Sequence, residues 1–89
     1  MKLNVAEFLN WSVGSRVTGE KMLKDIEKDT EVKLDFTNVR LISQNFADEI
    51  FRVQPLKGGF TVIGVGMCKD VGIMIEHIMS NDMPELGVR

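Results

Sequence analysis

Glu31-Val32-Lys33-Leu34-Asp35-Phe36 decides how this chain folds. Val32, Leu34 and Phe36 are apolar, while Glu31, Lys33 and Asp35 are charged. Side chains on a strand alternate between its two faces, so the segment reads as a strand with one buried and one wet face. A strand covered on both faces would read as a continuous apolar run instead. The sheet that holds this strand is therefore expected to carry its helices mainly on one side. Thr37-Asn38 follows directly as a turn signal.

Upstream, Gly19, Met22, Leu23 and Ile26 recur at i, i+3, i+4, i+7, the buried stripe of a helix expected over residues 16–28 with Ser15 as its N-cap. Glu20, Lys24, Glu27 and Lys28 fall on its wet face. A glycine on the buried stripe costs about 1 kcal/mol against alanine. Close approach of helix to sheet is the expected compensation. Further toward the N-terminus, Leu3 and Val5 alternate across residues 2–5 as a short strand, and Trp11 to Ser15 form a loop.

Downstream, Val39, Leu41 and Ile42 lead to Ser43, a second N-cap, and a helix expected over residues 44–53. Phe46, Ala47, Ile50 and Phe51 are its inward stripe. Asp48, Glu49 and Arg52 are placed outward, with Asp48 and Arg52 spaced as an i, i+4 ion pair. Pro55 and Gly58-Gly59 close that helical region. Phe60 to Val65 is a nearly continuous apolar run, expected as a central strand. A third helix runs from Lys69 or Asp70 to Ser80 on Val71, Met74, Ile75 and Ile78. Asn81-Asp82 and Pro84 are its stop signals. Residues 81–89 read as a tail in which Leu86 and Val88 offer a short edge strand. Strand and helix alternate three times. The fold class is therefore α/β, with a parallel or mixed central sheet, right-handed crossovers and about three helices mainly on one face.

The chain has 89 residues, the size of one domain with one thin core, and residues 1–89 are read as a single domain. Hydrophobic residues make up 44% and charged ones 27%, with a net charge of −2, which fits a folded domain and argues against disorder. No basic block offers a footprint for direct nucleic-acid binding. No apolar run has the roughly 20 residues a membrane span needs. Asn4 and Glu7 interrupt any secretory h-region, and one cysteine allows no internal disulfide. The expectation is a cytoplasmic protein that does not engage membrane. Asn10-Trp11-Ser12 matches a glycosylation acceptor, which without a secretion signal reads as chance.

Three segments carry a family resemblance: Arg16-x-x-Gly19 opening the first helix, Leu34-Asp35-Phe36 followed by Val39, and Phe46-Ala47-Asp48-Glu49 in the second helix. Together, over about residues 14–80, they resemble the STAS-like domains related to sulfate-transporter and anti-sigma-factor-antagonist domains. The resemblance implies a central sheet with helices packed on one side and a role in signalling by docking onto a partner. In anti-sigma-factor antagonists that partner is a kinase of the histidine-kinase-like ATPase type, which phosphorylates a serine at the start of the corresponding helix. Here that position falls at about Gln44 or Asn45, neither of which accepts phosphate. Ser43 is the nearest hydroxyl and reads as a cap. Docking without a phospho-switch is the implied mode.

Other chemistry is thinly represented. Gly64-x-Gly66 lies between a strand and a helix, but a dinucleotide fingerprint needs a small residue where Lys69 stands, so a tight turn is expected. His77 and Cys68 are the sole histidine and cysteine. His77 is placed on the helix surface, and Cys68 as a small core residue rather than a nucleophile. No metal set or cofactor is implied. Arg16 at a helix start opposes the local dipole, so it pairs with Asp35 or Asp48 or binds an anion. Met22 and Met74 belong to core stripes; Met79 and Met83 are candidates for exposed, adaptable surface, with core filling the favoured reading.

The leading expectation is a non-enzymatic regulatory interaction module that binds an ATPase, a kinase or a DNA-binding regulator. Its surface comprises Ser43, Gln44, Asn45, Asp48, Glu49 and Arg52, with Arg16 nearby. The rivals are a self-assembling homodimer using the wet side of the 32–36 strand, and a small nucleotide-binding domain.

Overall fold

The computed structural model describes residues 1–80. The expected stop signals at Asn81-Asp82 and Pro84, the tail with Leu86 and Val88, and Met83 lie outside them. The fold is α/β. Three strands, β1 (Lys2–Asn4), β2 (Glu31–Asp35) and β3 (Thr61–Val65), form one parallel sheet in the order β1-β2-β3. Lys2 pairs with Lys33, and Glu31 with Thr61. Among the described residues the sheet is thus parallel rather than mixed.

The alternation across β2 works as read. Val32, Leu34 and Phe36 are fully buried, Glu31 and Lys33 are exposed, and the helices cover the face that Val32 and Leu34 line. The central strand is β2, however, and not the apolar Phe60–Val65 run. Among the described residues β3 has a neighbour on one side, and Ile63 on its open face is exposed. Its inner face is short of side-chain volume at Gly64. Phe51 and the Met67 thioether come so close there that an added Cβ would sit 3.1–3.3 Å from them.

Helix α1 (Val5–Leu9) was not anticipated; the chain leaves β1 at Asn4 and turns helical at once. Val5, read as the end of a strand, is instead the first residue of this short helix, fully buried. Asn10 and Trp11 end it with φ of 48° and 70°, both left-handed. Helix α2 (Arg16–Leu23) begins at Ser15, whose hydroxyl accepts the Thr18 N–H at 3.3 Å. It stops five residues before the expected Lys28, because Lys24 is extended and Asp25 takes φ 68°. Ile26 packs on the core from the loop.

Ser43 caps the next helix as expected, its Oγ accepting the Phe46 N–H at 3.0 Å. That helix runs past Val53 in three pieces: α3 (Gln44–Asp48), a π-helical segment (Glu49–Val53) and α4 (Gln54–Gly58). The Gln54 N–H reaches back five residues to the Glu49 carbonyl. Pro55 explains the widening. It has no N–H to give, and in a regular α-helix its ring would strike the carbonyl four residues back. The π-turn relieves this without ending the rod, which stops at Gly59 with φ 71° and its N–H on the Pro55 carbonyl. Phe51 is half-buried and stacks on Phe36 with ring centroids 6.0 Å apart. Helix α5 (Lys69–Ser80) buries Val71, Ile75 and Ile78, with Met74 partly buried; Met79 is exposed, against the favoured reading of it as core filling. No helix among the described residues is long and apolar enough to cross a membrane.

Candidate functional site

Two of the three segments that carry the resemblance, Arg16-x-x-Gly19 and Phe46-Ala47-Asp48-Glu49, meet at the junction of α2 with the long helix. An added Cβ on Gly19 would lie 3.0 Å from the Glu49 side chain and from Ile50 Cγ2. The glycine therefore permits close approach of helix to helix, not of helix to sheet as expected. Asp48 and Glu49 are only 8% and 6% exposed, which corrects their placement on a solvated face. Arg16 donates to Asp48 Oδ2 at 2.8 Å and to Glu49 Oε1 at 3.3 Å. Arg52 donates to Asp48 through Nε at 2.6 Å and Nη2 at 3.0 Å, a bidentate i, i+4 pair. Gln54 Nε2 donates to Glu49 Oε2 at 2.6 Å.

Both buried carboxylates are thus partnered, and Arg16 resolves to Asp48 and Glu49. Asp35 takes Lys2 instead, at 3.6 Å. The signal that marks this cluster in the sequence is Arg16 itself. A cation at a helix start needs an acid close by, and the neighbouring glycine marks where another helix comes near.

Charge and proton affinity follow from these contacts. The Arg52 hydrogen bonds hold the Asp48 carboxyl below its ordinary value, burial opposes them, and Arg16 adds to the lowering. The hydroxyl and N–H of Thr37 lower Asp35 in the same way. A lowered pKa means that the folded state binds the proton less readily than the unfolded chain. The stability this adds is complete above the ordinary aspartate value of 3.8 and is lost as pH falls through the folded values. The melting temperature followed by circular dichroism is therefore expected to be level above about pH 5 and to fall below about pH 4. Asp48→Asn should flatten that fall.

The second part of the site is the ledge at the start of α3. The Ser43 N–H donates to the Val13 carbonyl at 2.8 Å, and its hydroxyl donates to the Gly14 carbonyl at 2.8 Å. With Oγ also capping α3, Ser43 ties the Val13–Gly14 backbone to the helix start. Gln44 and Asn45 beside it are exposed, as are Val13 and Leu41, the latter by 58%. Of the residues expected at this surface, Gln44, Asn45 and Arg16 reach solvent, Ser43 and Arg52 are half-buried, and Asp48 and Glu49 form the supporting layer beneath.

The remaining candidates separate. Gly66 takes φ 69°, and an added Cβ would meet Thr37 Oγ1 at 2.8 Å and Asp35 Oδ1 at 3.0 Å, so Gly64-x-Gly66 is a turn packed on the turn after β2. Cys68, expected in the core, is exposed, with Sγ 3.6 Å from the Val39 and Arg40 carbonyls. His77 is exposed, nine residues along α5 or about 13 Å by helical rise, too far to pair with it. Among the described residues no group of three metal-ligating side chains converges.

Comparison with known proteins fits this geometry. A family model described as a STAS-like domain of unknown function (DUF4325) matches residues 18–64. The match spans more than half of the chain, from the turn of α2 that holds Gly19 to Gly64 in β3, and the chain belongs to that family. No curated protein and no solved structure matches it.

Proposed function

We propose that this STAS-like domain is a non-enzymatic regulatory module that docks onto a protein partner through the ledge at the start of α3. The partner is an ATPase, a kinase or a DNA-binding regulator, the classes that the family resemblance implies. One observation carries the reading. Apolar Val13 and Leu41 and polar Gln44 and Asn45 are exposed together on backbone that Ser43 fixes. Such a rigid patch with a few apolar anchors binds without first paying for its own ordering. The Arg16 contacts to Asp48 and Glu49 tie α2 to the long helix, so these carboxylates serve docking by holding the surface in place.

The test is capture of partners from native host lysate by the tagged protein, read by mass spectrometry. Leu41→Glu with Gln44→Lys is expected to leave the melting temperature within about 2–3 °C of the parent, since surface changes cost little. It should remove an ATPase, kinase or DNA-binding protein from the captured set. Retention of that partner by the folded variant would move the docking surface elsewhere. Light scattering at high protein concentration addresses the homodimer reading, which a monomer would rule out.

A further inference from the structure

We propose that the groove at the carboxyl ends of β1 and β2 binds an uncharged nucleoside-like molecule, a planar ring joined to a hydroxyl-bearing sugar. The groove lies between the α1 side and the loop after β2, and its volume is about 700 Å³. That falls in the range of small-molecule sites, and parallel α/β sheets take their ligands at the carboxyl ends of strands. Leu9 and Val39, both buried, give it an apolar floor.

Three features define the ligand. Trp11 stands at the rim with its indole fully exposed, on a left-handed backbone that a bulky residue adopts at a cost. An aromatic face of this kind stacks on planar rings, whichever base they carry. Asn4 and Asn38 are among the lining residues, and an asparagine amide offers both donor and acceptor, as the edge of a base requires. Asn4 precedes α1 without using its side chain as a cap.

Asp35 closes the end of β2. Its Oδ1 is occupied by the Thr37 N–H at 2.9 Å and hydroxyl at 2.6 Å, which leaves Oδ2, with Lys2 at 3.6 Å, to accept from sugar hydroxyls. Charge decides between nucleoside and nucleotide. Glu7 and Asp35 in the lining are matched by Arg40 and by Lys2 beside Asp35, so the groove has no surplus positive charge to hold a phosphate.

This site differs from the Gly64-x-Gly66 turn; Val13 and Leu41 of the docking ledge also line it, but it is tested through Trp11 and Asn4, which the docking reading does not use. Trp11 is the sole tryptophan, so its emission reports on the groove directly. The experiment titrates the intact protein with adenosine, guanosine, cytidine and uridine, with adenosine 5′-monophosphate and ribose as comparisons. Heats of binding are measured in parallel. Saturable quenching of Trp11 by at least one nucleoside below millimolar concentration is expected. Its affinity, read from the heats because Trp11→Ala keeps no tryptophan, should fall by about tenfold or more in Trp11→Ala and in Asn4→Ala, both still folded by circular dichroism. The proposal is overturned if no nucleoside changes the emission or gives heat at millimolar concentration. It is equally overturned if ribose binds as well as the nucleoside, if the monophosphate binds more tightly, or if both folded variants keep the parent affinity.

Discussion

The double reversal Asp48→Lys, Glu49→Lys is expected to unfold the protein. Both carboxylates are buried, and each new ammonium would stand where guanidinium groups now approach within 2.6–3.3 Å. Attraction becomes repulsion at both positions, and Gln54 loses its acceptor. Breaking a buried ion pair by removing one partner costs about 3–5 kcal/mol. Arg16 and Arg52 are each nearly half exposed, which screens the repulsion and argues for the lower end of that range at each site. Two such losses still match the roughly 5–10 kcal/mol that a chain of this size has in total. Loss of the cooperative thermal transition by circular dichroism is the expected readout. A cooperative melt within a few degrees of the parent would instead make these residues a tolerant surface and return them to the docking contacts.

Phe46→Ala is the second large effect. The ring is fully buried, and it fills the space beneath Gly14, where an added Cβ would lie 2.7 Å from it. Its truncation leaves a cavity against rigid backbone on one side, and such cavities collapse poorly. The expected cost is about 3–5 kcal/mol, read from the urea midpoint at unchanged slope. Phe46→Leu should cost clearly less. A loss below about 1 kcal/mol for the alanine variant would mean that the 11–14 loop closes onto the space. Because the same ring supports Gly14, amide exchange in residues 11–14 should accelerate before the rest of the chain is affected.

Much of this architecture is legible in local pattern. The 32–36 alternation gives the one-sided sheet, Ser15 and Ser43 mark two helix starts, and the core stripes of α3 and α5 follow helical spacing. What escaped is what local pattern cannot express. Five residues of α1 are too few for a periodicity to develop, so Val5 reads as the end of a strand. Asp48 and Glu49 read as wet because charge usually is, and their burial depends on Arg16, 32 and 33 residues away. Pro55 reads as a stop because in a regular α-helix it would be one, and the π-turn evades that rule. An apolar run suggests a central strand, yet the position of β3 is set by chain order in the sheet. Within the candidate site, the residue types were legible and their depth was not.

The parallel arrangement has a consequence for synthesis on the ribosome. None of the described strands can zip onto its neighbour from a tight turn, since Lys2 meets Lys33 and Glu31 meets Thr61, about thirty residues along in each case. The first strand emerges long before the segment it will pair with, and the sheet gains its last described strand only when Val65 has been made. Ladders of this kind close large loops before any contact rewards the closure, so they form slowly. A nascent chain halted before residue 61 would expose the inner face of β2, with Val32, Leu34 and Phe36 lacking the β3–α5 layer, to chaperones or to other unfinished copies.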